Sequence, residues 1–168
     1  MIELRSQSRR LNEQNVISMI KHYDFYDYFY NKEGKGISHI YKINDEFIFD
    51  ETIGLMWQRS GSDELIFDET ESYIKDLNKS DFAGYDDWRF PTLEEAMSLM
   101  EPVKKNDLYI NPMFDYVQFW IWTSDEGLYS TRRRWVVDFN QGACGDFDGF
   151  DYAGYVRAVR FSQSSRKE

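Results

Sequence analysis

The sequence has few of the residues that build metal and redox sites. Its 168 residues include one cysteine, Cys144, and two histidines, His22 and His39. A structural zinc site takes four Cys or His ligands and a disulfide takes two cysteines, so a single chain can form neither. The N-terminus lacks the apolar run of a signal peptide, and no stretch approaches the ~20 apolar residues of a membrane span. We therefore expect a cytoplasmic protein with no membrane segment and no metal cofactor.

Positive charge is also scarce. The chain has 20 Lys and Arg against 30 Asp and Glu, which gives a formal net charge of −10. A field of that sign repels nucleic acid and anionic membranes, so we expect neither as a partner. Aromatic residues are abundant, with 13 Phe, 12 Tyr and 5 Trp. Disordered chains are poor in such residues, and a chain of this length is typical of one folded domain with a substantial core.

The first 45 residues differ from the rest. Four apolar residues follow the spacing of one helix face, and a run of aromatic residues occupies positions 25–30. We interpret residues 1–45 as a helical and aromatic extension packed on the core, 46–162 as the main domain and 163–168 as a flexible tail. An exposed partner contact on the aromatic run is the alternative interpretation. The apolar helix positions are Val16, Met19, Ile20 and Tyr23.

The later segments alternate between helix and strand signals. We expect helices at about 69–79 and 93–100, the second opened by a capping box at Thr92–Glu95. Three apolar segments read as strands, and residues 140–154, rich in Gly and Asp, as a loop or irregular ribbon. This order predicts an α+β fold with an antiparallel sheet. The predicted strands are Phe119–Thr123, which is apolar on both faces and suits a central strand, Trp135–Phe139 and Tyr155–Phe161.

Five segments, taken in order, resemble one family. They are Asp50–Gln58, Gly84–Thr92, Trp120–Ser124, Trp135–Asn140 and Tyr155–Arg160. Together they are similar to the Lcl C-terminal-like domain, a bacterial domain of unknown function, over about residues 47–161. Ile53 and Phe90 are the departures from its pattern. The resemblance implies a C-type-lectin-like fold with paired first and last strands, two flanking helices and a ligand-carrying loop region. It also implies kinship with formylglycine-generating enzymes.

We assign a structural role to the large side chains of these segments. Tryptophans within dense apolar segments usually lie in a core. Guanidinium groups suit buried ion pairs, and we expect the arginines to pair with Asp86, Asp87 or Asp138. The structural residues are Trp57, Trp88, Arg89, Trp122, Trp135, Arg157 and Arg160.

The loop before the last strand is the candidate ligand site. Gly gives it backbone freedom, while Asp, Asn and Tyr supply hydrogen bonds and amphipathic contact, as in antibody paratopes. We therefore interpret the chain as a non-enzymatic recognition module for a protein or carbohydrate ligand. The candidate ligand-binding residues are Asn140, Gln141, Asp146, Asp148, Phe150, Asp151, Tyr152 and Tyr155.

Other hypotheses stay open. Asp146, Asp148 and Asp151 invite a calcium site, because Ca²⁺ takes oxygen ligands. The run 132–134, three arginines, is suited to a sulfated glycan or a phosphate. The resemblance also implies two alternatives: a variable protein of a diversity-generating retroelement, and a degenerate enzyme of the formylglycine-generating type. One cysteine and no catalytic motif argue against the enzyme.

Overall fold

The order of helices and strands is that of a mixed α+β fold, as the sequence predicts. The computed structural model describes residues 1–163, so residues 164–168 of the predicted tail lie outside the described residues. The helices are α1 (Glu13–His22), α2 (Phe67–Lys79) and α3 (Leu93–Ser98). None of these helices combines the length and the apolar composition needed to cross a bilayer. The strands are β1 (Arg10–Leu11), β2 (Tyr41–Ile43), β3 (Phe47–Asp50), β4 (Leu55–Gln58), β5 (Leu65–Ile66), β6 (Trp120–Gly127), β7 (Arg133–Asp138), β8 (Ala143–Asp148), β9 (Ala153–Gly154) and β10 (Val159–Phe161).

Polar side chains mark the start of helix α3. Thr92 Oγ1 accepts a hydrogen bond from Glu95 N at 3.1 Å, and Glu95 Oε2 accepts one from Thr92 N at 2.9 Å. This reciprocal pair confirms the predicted capping box. The helix ends at Ser98, earlier than predicted, because the chain tightens into a shorter-range bond from Leu99 N to Ala96 O at 3.2 Å.

Two four-stranded sheets form most of the fold. The first has the strand order β1-β6-β7-β8, and the second β10-β4-β3-β2, while β5 and β9 pair separately. Strand β6 lies inside the first sheet and is buried from Trp120 to Thr123, which confirms the central strand predicted from its apolar faces. Strand β10 pairs antiparallel with β4, with Val159 opposite Trp57. The last strand of the described chain thus lies beside an early one.

Four tryptophans of the motif segments lie in the core. Trp57, Trp88, Trp122 and Trp135 are each at most 4% exposed. The ring N–H groups of the last three donate to main-chain carbonyls at 3.0 to 3.1 Å, which satisfies a buried indole. The bond from Trp135 reaches Leu11 O and so ties strand β1 to the main sheet.

Two of the motif arginines form ion pairs. Arg160 is fully buried and its Nε lies 2.6 Å from Asp87 Oδ1, which is one of the expected partners. Arg89 pairs instead with Glu95, through two hydrogen bonds of 2.8 Å. The expectation for Arg89 was wrong because the first turn of α3 turns the Glu95 carboxylate toward it. Asp138, another expected partner, accepts hydrogen bonds from main-chain amides in the turn that follows β7.

Arg157 binds carbonyl oxygens, although we expected a carboxylate partner. Its side chain is fully buried. Its Nη1 donates to Gln58 O at 3.0 Å and also to Arg59 O, and its Nη2 donates to Asp115 O at 2.9 Å. Burial lowers the pKa of Arg157 to about 9, against the opposing effect of the Asp115 charge. The guanidinium therefore joins two segments of main chain that are far apart in sequence.

A buried carboxylate holds the N-terminal segment in place. Asp125 of β6 is fully buried and accepts hydrogen bonds from Arg5 Nη1 and Nη2 at 2.8 and 2.7 Å. It also accepts hydrogen bonds from the main-chain amides of Arg9 and Leu93, each at 2.7 Å. One side chain therefore connects the N-terminal segment, the central strand and the start of α3.

We expect Asp125→Asn to lower the free energy of unfolding by about 3 kcal/mol, because in a largely buried site it removes the carboxylate that binds Arg5 twice and leaves only the longer pair with Glu94, Nε to Oε2 at 3.5 Å. Urea denaturation followed by tryptophan fluorescence measures this change. Glu126→Gln is the matched control: its pair with Arg10 is partly exposed, so the loss should stay below about 1 kcal/mol. Equal losses for both variants would contradict the anchoring role of Asp125.

Candidate functional site

The segment expected to be an irregular loop contains a strand. Residues Ala143–Asp148 form β8, which pairs with β7 from Arg133 opposite Asp148 to Asp138 opposite Ala143. The loop prediction for residues 140–154 was therefore wrong over this stretch. Gly and Asp have low strand propensity, but pairing with the open edge of β7 overrides it.

The β7–β8 hairpin separates the candidate ligand residues. Asn140 and Gln141 occupy its closed end, where their main-chain amides donate to Asp138 Oδ1 at 2.8 and 3.1 Å. Asp148 and Phe150 lie at the open end. At ~3.4 Å per residue, the length of β8 places the two ends roughly 17 Å apart. The residues predicted as one site therefore do not form one site.

The closed end meets the N-terminal aromatic run. Tyr28 N donates to Gly142 O at 2.8 Å. Gly142 has φ +73°, and a Cβ there would lie 2.8 Å from the Tyr109 ring and 3.0 Å from the Tyr26 ring. Phe29 is 67% exposed beside this contact. The aromatic run thus contributes both packed and exposed rings.

Tyr155 lies apart from both hairpin ends. It pairs with Ile121 on the side of β6 away from β7 and β8. Its ring centroid is 5.8 Å from that of Phe119. Burial, followed by the nearby Glu64 carboxylate, raises the pKa of Tyr155. Tyr155 therefore packs against the sheet and does not join the other candidate residues.

The open end of the hairpin brings three candidate residues together with an arginine. We call Arg132, Asp148, Phe150 and Tyr152 the hairpin patch. Phe150 and Tyr152 are 46% and 50% exposed. The Arg132 guanidinium lies 4.1 Å from the centroid of the Phe150 ring, and its Nη2 lies 3.3 Å from Asp148 Oδ1. Cation–π and ion-pair contacts thus orient exposed side chains.

Local hydrogen bonds fix the shape of the hairpin patch. Phe150 N donates to Asp148 Oδ1 at 2.9 Å, and this bond, with a further contribution from Arg132, lowers the pKa of the Asp148 carboxyl. The Tyr152 ring makes an edge contact with Phe147 at 5.1 Å between centroids. Asp151 is exposed at the tip of the same turn. The exposed rings therefore stand on an ordered turn.

Two of the three carboxylates proposed for calcium are engaged with arginines. Asp146 Oδ1 accepts from Arg133 Nε at 2.9 Å, and Asp148 is paired with Arg132. Within residues 1–163 no group of three or more His, Cys, Asp or Glu side chains is placed to hold a metal ion. Two members of the arginine run thus neutralise the acidic groups of the neighbouring strand.

Sequence reasoning missed Tyr129. It is 88% exposed in the loop between β6 and β7, and the same loop contacts the hairpin turn through a bond from Gly149 N to Arg132 O at 2.8 Å. The sequence contains a pattern that indicates an exposed aromatic residue here, because Leu128 and Tyr129 stand in the short stretch between a strand and the arginine run. Together with Asp146, they border a cleft of about 330 Å³.

Comparison with known proteins gives one match. The family model of the Lcl C-terminal domain matches residues 46–160. No curated protein and no solved structure matches the chain. The match includes all five motif segments almost entirely, as well as the hairpin patch. Because it spans more than half of the sequence, the chain belongs to the Lcl C-terminal domain family.

Proposed function

We propose that this protein is a non-enzymatic recognition module that binds a protein partner through the hairpin patch. The observation that carries the proposal is the arrangement of Arg132, Phe150 and Tyr152: exposed side chains, each held by a defined contact. Arginine and tyrosine are enriched at the energetic centres of protein interfaces. Side chains that are ordered before binding lose less conformational entropy when a partner arrives.

The fold supports this proposal. We propose for the domain the C-type-lectin-like fold that the family resemblance implies. The pairing of β4 with β10 as its early and last strands supports this fold, as do helices α2 and α3 beside the sheets. The hairpin patch comes directly before the last strands, in the loop region that carries ligands in this fold. Loops on a rigid scaffold are the usual place for binding residues.

The chemistry of the patch favours a protein over a glycan. Glycan recognition needs amide or carboxylate groups that can bond sugar hydroxyls beside an aromatic ring. At the open end, the Asp146 and Asp148 carboxylates are already bound to arginines, which leaves the exposed Asp151 as the remaining candidate carboxylate there. Asn140 and Gln141, the amides among the candidate residues, lie at the closed end. The exposed rings and the arginine therefore suit a protein surface.

We expect the triple variant Arg132→Ala, Phe150→Ala, Tyr152→Ala to bind a protein partner at least about tenfold more weakly than the wild type. The measurement is affinity capture from lysate of the source organism, followed by titration of each captured protein by surface plasmon resonance. The matched control is the triple variant Phe29→Ala, Lys42→Ala, Ile43→Ala. It also removes one cation and two large apolar side chains, all exposed and all outside the hairpin patch.

A protein bound equally by the wild type and the control but lost by the triple variant supports the proposal. A protein that the triple variant retains places the contact outside the patch. A glycan array serves as the third arm. A glycan bound by the wild type and lost by the triple variant replaces the protein partner and overturns that part of the proposal.

The environment of Cys144 supports the non-enzymatic part of the proposal. A nucleophilic cysteine needs a lowered pKa or a base beside it. Cys144 packs against the main core, and its main-chain N donates to Asp27 Oδ2 at 3.1 Å. Burial, reinforced by the Asp27 charge, raises the pKa of the Cys144 thiol well above its usual value. Such a thiol stays protonated at neutral pH.

We expect iodoacetamide to alkylate Cys144 in the folded protein at least about tenfold more slowly than in the urea-unfolded chain, because the thiolate is the reacting form. Mass spectrometry over time measures both rates. Asp27→Asn should speed the reaction in the folded protein, since it removes the charge that opposes ionisation. Equal rates in the folded and unfolded chains would mean an accessible thiol of ordinary pKa and would contradict this account, and a faster reaction in the folded protein would mean an activated thiol and would reopen the enzyme hypothesis.

A further inference from the structure

A cleft of about 530 Å³ lies outside the hairpin patch. Three segments form its walls: the β2–β3 turn at Asp45, the residues that follow β4 at Arg59 and Ser60, and the long connection 105–116 between α3 and β6. A volume of this size suits a small organic ligand. We propose that the cleft binds a small zwitterion with an apolar side chain, namely an amino acid or a short peptide.

The floor of the cleft is apolar. Ile110 and Phe114 line it and are 3% and 2% exposed, which makes them part of the main core. Leu108, Pro112 and Met113 extend the same surface. An apolar side chain of the ligand would remove from water the part of this surface that is still accessible, at Pro112 and Met113, and such burial is the main favourable contribution to binding in such pockets.

Both signs of charge stand beside this floor. Arg59 and Lys105 supply cations, while Asp45 and Asp115 supply carboxylates. Arg59 is oriented by a bond from its Nε to Met113 O at 3.2 Å. This combination fits a ligand that carries one carboxylate and one ammonium group. A polyanion would meet the two carboxylates. Lys105 also pairs with Glu101, Nζ to Oε2 at 3.1 Å, but an uncharged hydrophobe would leave Arg59, Asp45 and Asp115 without a role in binding.

Arg157 makes the walls rigid from behind. Its bonds to Arg59 O and Asp115 O connect the two sides of the cleft, and its guanidinium lies 5.0 Å from the centroid of the Phe114 ring in the floor. Its Nε has no hydrogen-bond partner among the described residues. The cleft is therefore preorganised, and a buried positive charge lies behind both of its walls.

This site is separate from the one in our proposed function. None of the residues of the hairpin patch lines the cleft. The variant that abolishes binding of a protein partner at the patch should leave the cleft unchanged. The proposal for the cleft can therefore be tested independently of the proposal for the hairpin patch.

The test uses three compounds that keep the same two side chains and differ in which terminus is charged: the dipeptide leucyl-phenylalanine, its N-acetyl derivative and its C-terminal amide. We expect saturable binding of the dipeptide to the full-length protein by isothermal titration calorimetry, and about tenfold weaker binding of each derivative. Loss of the ammonium should remove the interaction of the ligand with Asp45 and Asp115, and loss of the carboxylate should remove its interaction with Arg59. No binding of the dipeptide, or equal binding of all three compounds, would overturn the proposal.

Variants locate the binding. Arg59→Gln and Asp115→Asn should each weaken dipeptide binding about tenfold. Both keep the main-chain carbonyls that hold Arg157, so the wall should remain in place. The triple variant of the hairpin patch is the control and should bind the dipeptide as the wild type does. Unchanged binding in both cleft variants would place the dipeptide elsewhere and contradict the assignment.

Discussion

The antiparallel pairing of β4 with β10 is the contact on which the rest of the domain depends. It places Phe161 opposite Leu55 and Val159 opposite Trp57, so the two ends of the family segment close on each other. Because neighbouring side chains on a strand point to opposite faces, this pairing sends Arg160 to one side and the core residue Val159 to the other. The chain between the two strands is thereby held as one closed unit.

This closure explains why two fully buried arginines are tolerated. Arg160 reaches the Asp87 carboxylate, and Arg157 reaches the Gln58 carbonyl at the end of β4 and the Asp115 carbonyl in the 105–116 connection. A buried cation without such partners would cost several kcal/mol, as desolvation of a charge demands. Each guanidinium thus fixes a segment with no regular strand or helix of its own. The irregular parts of the domain gain order from the core.

Elements encoded locally were predictable from the sequence, and most long-range contacts were not, with the pair of Arg160 and Asp87 as an exception. The capping box at Thr92 and the buried strand at Trp120 follow from residues within a few positions of each other, and both are confirmed. Strand β8 was missed because it forms only by pairing with β7. The contact between Arg5 and Asp125 joins residues 120 positions apart, so no local sequence pattern predicts it. The separation of the candidate residues between the two ends of the hairpin was also not predicted, because it follows from the pairing of β8 with β7.

Buried residues maintain the fold and exposed residues form the candidate site, and this separation determines how many substitutions the site can tolerate. Phe150 and Tyr152 are exposed and rest on Arg132 and Phe147, whereas about half of the residues in the buried clusters come from the motif segments. Exposed side chains of this kind contribute little to stability, so substitutions there leave folding nearly unchanged. A scaffold with this property can present many different surfaces on one fold. The retroelement hypothesis requires that separation, and a template repeat with a reverse transcriptase in the neighbouring DNA would decide whether this chain uses it.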